Sequence, residues 1–286
     1  MFSSTRLVML VGFLALLLPG VAGTVWARAV SQSRLNSAID VGWLAPEAEQ
    51  AAISHDRGRH LVNHVLDCRG CHGNNLAGKK ILDRPMVGRF FAPNLTPGRG
   101  GRDPDYGVRE WDLALRHGVD PAGRPLVYMP AHRFQELRDA DLLSIIAYIR
   151  DDVEPVDLEM LRHDVGPMFR LAVASGAFQL DAHRIDHDRM PAQYVPGPTR
   201  AYGEVLARLA GCVDCHGPDM QGIAPAPGAP AAPPVDVGTY GRAQLKNALR
   251  GRGADGHELD PYMPWSSYQG MTEVEIDALF KWMKSL

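Results

Sequence analysis

The sequence has 286 residues, of which 45% are hydrophobic and 22% are charged, and its formal net charge is −3. Length and composition of this kind indicate a globular protein of one or two domains. Nucleic-acid binding is disfavoured, because a domain with that function needs a clear excess of Lys and Arg over Asp and Glu.

The N-terminal residues 1–30 are predicted to be a signal peptide or a transmembrane anchor. Arg6 precedes an uncharged, largely apolar run over residues 7–26, the order of charge and hydropathy found in an export segment. A Pro-Gly break inside the run favours cleavage, whereas roughly 20 apolar residues are enough to cross a bilayer. In both cases the rest of the chain is exported. We expect a periplasmic protein tethered to the inner membrane by this segment, with residues 31–53 as a polar tether.

Two pentapeptides, Cys68–His72 and Cys212–His216, contain all four cysteines of the chain. Two cysteines separated by two residues and followed by histidine predict covalent attachment of a c-type haem. Each thiol forms a thioether with the haem, and the histidine is the proximal ligand of the iron. The sequence therefore predicts two covalently attached haems, bound through four cysteines and two histidines: Cys68, Cys71, Cys212, Cys215, His72 and His216.

Three other uses of these cysteines are less consistent with the pattern. A thioredoxin-like redox motif needs a βαβ setting and gives the following histidine no role. A four-cysteine zinc site would leave both histidines unexplained and would join pairs far beyond the usual spacing. Two disulfides would each close a strained loop, even in an oxidising compartment. We therefore favour haem attachment at both motifs.

The second half of the chain repeats the first. Residues 115–148 align without a gap to residues 249–282 at an offset of 134, whereas the cysteine motifs are offset by 144. Self-similarity on this scale indicates a tandem duplication, with about ten residues fewer between motif and methionine in the second copy. The predicted organisation is two domains joined by a linker: residues 54–150, 151–198 and 199–286.

Each repeated unit is predicted to contain an opening helix, the cysteine motif, a long loop rich in Gly and Pro, a middle helix, a methionine loop and a closing helix. The apolar residues of the closing helices recur at helical spacing, and their first turns carry acidic residues. A haem large enough to act as core explains the long loops. The predicted fold is all-α, with six main helices at residues 56–67, 108–117, 139–151, 200–210, 242–250 and 272–286.

Met129 and Met263 are predicted to be the second axial ligands of the two irons. Both lie in a Tyr-Met-Pro sequence at equivalent positions of the repeat. A thioether opposite histidine completes the iron coordination and raises the reduction potential. The alternative is that these methionines only fill gaps in the core, and His132 is a rival ligand for the first iron.

These motifs resemble class I cytochrome c domains, which share the cysteine motif, the Tyr-Met-Pro loop and a closing helix carrying Tyr148 or Trp282 here. Two such domains after an export segment resemble the diheme cytochromes c that serve as electron-transfer subunits of periplasmic dehydrogenases. The segment Phe91–Pro97 is similar to a haem-loop segment common in that group. The second copy departs from it, because Pro225–Pro234 contains no Asn-Leu-Thr. The resemblance implies a class I fold and a dehydrogenase or quinol-oxidising complex as electron donor.

Two classes of function are compatible with these motifs. One is an electron carrier without catalytic residues, which relays single electrons from a periplasmic or membrane donor to a soluble cytochrome or oxidase. The other is a diheme enzyme, such as a peroxidase or a sulfur-compound oxidoreductase. Peroxide chemistry needs an open sixth position on the iron, and the sulfur-oxidising relatives use a cysteine ligand that is not free here. We favour the carrier, alone or as a subunit of an oxidoreductase complex.

The two predicted domains differ in charge. Residues 54–150 contain 15 basic and 11 acidic side chains, residues 151–198 contain 4 and 9, and residues 199–286 contain 8 and 10. Surfaces of opposite sign steer different partners toward each domain. We therefore expect two inequivalent haems, each facing its own redox partner.

Overall fold

The computed structural model of the chain describes residues 4–43, 53–224 and 231–286, with side chains described from residue 20 onward. Within these ranges the protein is mostly helical. The α-helices are α1 (Ser4–Asn36), α2 (His55–His64), α3 (Cys68–His72), α4 (Val108–Arg116), α5 (Ala131–Phe134), α6 (Asp139–Asp151), α7 (Pro167–Ser175), α8 (Arg200–Leu209), α9 (Cys212–His216), α10 (Arg242–Ala248) and α11 (Glu273–Met283). Three strands and two 3₁₀ turns complete the order: β1 (Lys79–Arg84), β2 (Gly88–Ala92), β3 (Asp164–Val165), Asp181–His183 and Trp265–Ser267.

The six predicted helices are present within three residues of their predicted ends, and their first turns show why they begin where they do. Ser54 caps α2 by accepting a hydrogen bond from the backbone N–H of Arg57. Thr272 caps α11 and exchanges reciprocal hydrogen bonds with Glu275, which forms a capping box. Because these caps depend on residues within one turn, they are readable from the sequence.

The opening and closing helices of each unit pack at very short range. A Cβ atom placed at Gly58 of α2 would lie 1.9 Å from the carbonyl oxygen of Ser144 in α6. The same spacing recurs in the second unit, where a Cβ at Gly203 of α8 would lie 1.9 Å from the carbonyl oxygen of Ala278 in α11. Only glycine permits this approach of two backbones, so both units use the same helix crossing.

The all-α prediction is wrong in one respect, because the loop after the first cysteine motif contains two strands. These strands, β1 and β2, pair antiparallel, and β2 also pairs with β3 from residues 151–198. Phe90 of β2 is fully buried against Phe169 and Val173 of α7. The sheet therefore depends on packing between β2 and a helix almost 80 residues away, which local sequence patterns do not report.

Residues 151–198 form an ordered connection, and the N-terminal helix packs on it. The Arg34 guanidinium donates a hydrogen bond of 2.5 Å to the carbonyl of Val173 in α7. Arg170 of the same helix reaches the hydroxyl of Ser31. The predicted tether over 31–53 is thus helical as far as Asn36, and its residues 44–52 lie outside the described part of the chain.

Across the described residues, the structure contains no helix with the length and hydropathy needed to cross a membrane. Within the predicted export segment (residues 1–30), residues 1–3 and the side chains of residues 4–19 lie outside the described part of the chain.

A continuous cluster of buried side chains runs through both units. At the contact between them, Arg57 of α2 bonds Asp141 of α6 at 3.0 Å and Glu275 of α11 at 3.3 Å. Burial opposes ionisation of Glu275, but the hydrogen bond from His60 and the charge of Arg57 lower its pKa to about 2. Both carboxylates are therefore held by a shared cation in the interior, where an unpaired charge would be costly.

Candidate functional site

Each cysteine motif is a single helical turn preceded by a residue in the left-handed region. Asp67 (φ 53°) precedes α3 and Gly211 (φ 74°) precedes α9. A Cβ at Gly70 would lie 2.4 Å from Oδ1 of Asp67, so glycine is needed for the Asp67 side chain to fold over the motif. Since the cysteines of each motif are three residues apart in this turn, both thiols lie on the same face of it.

The histidine of each motif is oriented by a backbone carbonyl. Nδ1 of His72 donates to the carbonyl of Pro93 at 2.9 Å, and Nδ1 of His216 donates to the carbonyl of Pro233 at 3.2 Å. A proton on Nδ1 leaves the lone pair of Nε2 free for a metal. Burial lowers the pKa of His72 to about 4 and also lowers the pKa of His216. Both imidazoles are therefore neutral at neutral pH, as metal ligation requires.

The first motif opens onto a cavity of about 190 Å³. Cys68, Cys71 and His72 line one part of its wall, and Met129 lines the same cavity. The remaining wall is mostly apolar, with contributions from Leu95, Trp111, Leu115, Phe134, Ile145 and Ile149. Two thiols, a neutral imidazole and a thioether around one apolar cavity are the groups that a c-type haem requires. The residues present at this site fit that group.

Arg102 is a cavity residue that the sequence interpretation missed. Its Nε is buried without a hydrogen-bond partner among the described residues, and its guanidinium lies over the ring of Tyr106 at 4.6 Å. A buried cationic donor without a partner favours a nearby anion. The haem carries carboxylate groups, so Arg102 supplies a further point of fit.

The region between the repeated units also contributes to the first cavity. His163 lines the cavity, and its Nδ1 accepts a hydrogen bond of 3.2 Å from the backbone N–H of Phe91. Asn94 is buried, and its side-chain amide donates to the carbonyls of Val156 at 2.7 Å and Leu158 at 3.1 Å. The Asn-Leu-Thr segment thus holds residues 151–198 against the site. The sequence carried no signal for His163, which lies outside the repeat.

The second motif is more open than the first. His72 is buried, whereas His216 is half-buried and Cys215 is exposed. Met263 is half-buried in the loop that leads to the 3₁₀ turn Trp265–Ser267. In the loop that distinguishes the second copy, residues 225–230 lie outside the described part, but Pro233 is described and orients the motif histidine.

His132, the rival ligand, is engaged elsewhere. Its Nδ1 lies 2.7 Å from Asp181, and its Nε2 lies 3.1 Å from Asp214. These two carboxylates raise the pKa of His132 to about 9, so the imidazole is cationic at neutral pH and lacks the lone pair that a metal needs. Met129 is the better candidate. Among the described residues, no group of three or more His, Cys, Asp or Glu is placed to hold a metal ion.

The known proteins that this chain resembles are cytochromes c and cytochrome subunits of dehydrogenases. The sequence profile of the family described as Cytochrome c matches residues 201–286. The chain is 30% identical over 208 residues to the fructose dehydrogenase cytochrome subunit of Gluconobacter japonicus, which covers 70% of this chain and 42% of that protein. It is 27% identical over 280 residues to the alcohol dehydrogenase (quinone) cytochrome c subunit of Gluconacetobacter polyoxogenes, covering 84% and 57%. It is 30% identical over 142 residues to a diheme cytochrome c-type of Cereibacter sphaeroides, covering 46% and 44%.

The chain spans about half the length of the dehydrogenase subunits that it matches. Those relatives are named as cytochrome subunits, the electron-transfer components of their enzymes, and not as the catalytic subunits. A domain of this family carries a covalently attached c-type haem with its iron. Residues 201–286 are therefore a cytochrome c domain, and over most of its length the chain is similar to cytochrome c subunits of dehydrogenases.

Proposed function

We propose that the chain is a diheme cytochrome c that relays single electrons between a dehydrogenase and a terminal acceptor. Residues 54–150 and 199–286 would each be a class I cytochrome c domain, with residues 151–198 as the connection. The observation that carries the proposal is the convergence of two thiols, the His72 imidazole and Met129 on one apolar cavity. The second motif stands at the equivalent position of the repeat.

The chain's own residues provide attachment, orientation and exclusion of water. Cys68 and Cys71 are the thioether attachment points in the first unit, and Cys212 and Cys215 are those in the second. The carbonyls that hold Nδ1 of each motif histidine keep Nε2 directed away from them. The iron of a bound haem supplies the one-electron chemistry. His72 and Met129 would hold the iron of the first haem, and His216 and Met263 would hold that of the second. The proposed role is therefore electron transfer and not oxygen or peroxide activation.

The proposed electron donor is a quinone-linked or sugar dehydrogenase, because the relatives are named as cytochrome subunits of fructose, alcohol and gluconate dehydrogenases. A quinol-oxidising complex is the second candidate donor, and a soluble cytochrome or an oxidase is the proposed acceptor. We propose a periplasmic location, with residues 1–30 as the export segment or membrane tether. The excess of basic residues over 54–150 and of acidic residues over 199–286 supports separate docking of donor and acceptor.

The test is a haem count on the full chain, produced in cells that attach c-type haem. The pyridine haemochrome should report about two haems per chain, and acid-acetone should leave the colour with the protein. The double variant C68A/C71A and its matched control C212A/C215A should each retain about one haem. A single haem in the unmodified chain, or zinc in its place, would refute the proposal.

A further inference from the structure

The two units meet through equivalent contacts. Ser267 donates a hydrogen bond of 2.5 Å to Asp67, the residue before the first cysteine motif. Arg133 occupies the place of Ser267 in the first unit, and it lies against Gly211, the residue before the second motif, where a Cβ would fall 2.3 Å from its Cζ. Each contact thus joins a methionine loop of one unit to the cysteine motif of the other.

A second pair of contacts also occurs at equivalent positions of the two units. His64 lies over Gly270, where a Cβ would fall 2.3 Å from its Nδ1. In the repeat, Arg208 of the second unit corresponds to His64, and Glu136 of the first unit corresponds to Gly270. Arg208 and Glu136 form a salt bridge of 2.8 Å. Two units that present the same surface to each other form an isologous, two-fold-like interface. The cysteine motifs of both units lie at this interface.

Arg133 differs from its counterpart Ser267 because it brings a charge to this shared surface. Its Nε bonds Asp214 at 2.5 Å, between the two cysteines of the second motif. The same side chain lines the cavity of the first motif. One guanidinium therefore acts electrostatically on both attachment sites.

We propose that Arg133 is a positioning residue shared by both haem sites, and that its charge sets their two reduction potentials together. This inference rests on the proposed function, because it needs a haem at each motif. When either iron takes up one electron, Fe(III) becomes Fe(II), no atom or proton is transferred, and the site loses one positive charge. A nearby cation stabilises the less positive reduced state, which raises the potential.

The shared position has a consequence for the relay. Because one cation acts on both sites, removing it shifts both potentials in the same direction. The difference between the two potentials, which drives the electron from one site to the other, then changes less than either potential does. Asp214 has the opposite charge, so its neutralisation should shift the potential of the second site upward.

The experiment is a spectroelectrochemical titration of the full chain carrying both haems, with haem content measured for every variant. Arg133→Gln should lower both midpoint potentials, and Arg133→Lys, which keeps the charge, should restore most of both values. Arg138→Gln is the matched control, because Arg138 is a half-buried arginine that bonds Asp141 of its own unit and not a cysteine motif. It should leave both potentials unchanged. Asp214→Asn should raise the second potential and is the test to use if Arg133→Gln does not fold.

The inference is overturned if Arg133→Gln shifts only one potential, if it shifts neither, or if Arg133→Lys behaves like the Gln variant. An unchanged or lowered second potential in Asp214→Asn overturns it as well. A chain that binds only one haem before any substitution overturns the proposed function instead, so the two failures are distinguishable.

Discussion

The two cysteine motifs share a local structure but differ in their surroundings. Both are one helical turn after a left-handed residue, and both have a histidine held by a proline carbonyl. The first is closed by β1, β2 and residues of 151–198, whereas the second has about ten residues fewer between motif and methionine and exposes Cys215. The geometry of each motif is thus local, while the cover over the first site comes from distant segments of the chain.

This difference predicts unequal reduction potentials. Burial in an apolar cavity disfavours the more highly charged ferric state, and the Arg102 cation at the first cavity acts in the same direction. The first site should therefore have the higher potential. A redox titration should resolve two one-electron steps, and the single-haem variants assign each step to its site. A higher potential at the second site would contradict this prediction.

The largest effect is expected from removing Met129 or Met263, the proposed methionine ligands of the two irons. Met129→Ala and Met263→Ala should each abolish about half of the weak far-red sulfur-to-iron band and lower the potential of their own site. The Met129 variant should lower the higher of the two potentials, and the Met263 variant the lower one. Near-infrared absorption and titration of both variants measure this. If Met129→Ala leaves the band intact, Met129 is not a ligand.

Acid should affect both sites together, because it weakens the contact between them. The folded-state pKa of Glu275 is about 2, below the 4.5 of an ordinary Glu. The ionised Glu275 carboxylate therefore stabilises the folded chain by on the order of 3 kcal/mol above pH 4.5, and this stabilisation is lost as the pH falls toward 2. Urea unfolding at a series of pH values, followed at each haem, measures how the free energy of unfolding depends on pH. This dependence should be weaker in Glu275→Gln. If the variant shows the same dependence as the unmodified chain, other carboxylates cause the acid sensitivity.

Arg102→Gln should change one site and not the other. The guanidinium lines the cavity of the first motif, so we expect the first potential to fall and the second to stay unchanged. Loss of a hydrogen bond from a charged group should also destabilise the haem-loaded chain by about 2 kcal/mol. Thermal unfolding and redox titration test both effects. Arg99→Gln, at an exposed arginine nearby, is the control and should alter neither.

The smallest effect concerns the cover of the first site. Asn94→Ala removes two hydrogen bonds to residues 151–198 and should destabilise the chain by about 1 to 2 kcal/mol. Hydrogen exchange should rise in residues 156–158 and remain unchanged around Cys212–His216. Equal loosening of both sites would show that the cover is not specific to the first.

The helical turn at each cysteine motif and the six main helices could be predicted because each depends on short-range information. The spacing of Cys68 and Cys71 places two thiols on one turn, and helix caps such as Thr272 act within three residues. The equivalence of Met129 and Met263 follows from comparing the chain with itself. These inferences require only local geometry and a repeat, so no tertiary contact is needed to make them.

Only the tertiary structure decided how the units meet and what covers each site. Arg133 contacts Asp214 across 81 positions, and Ser267 contacts Asp67 across 200. The strand pairing and the wall contributed by His163 likewise join segments that no period or motif connects. Such contacts form when the chain buries its apolar surface and pairs the polar groups left inside. Local propensity does not determine which distant residues meet, so their partners become visible only in the folded chain.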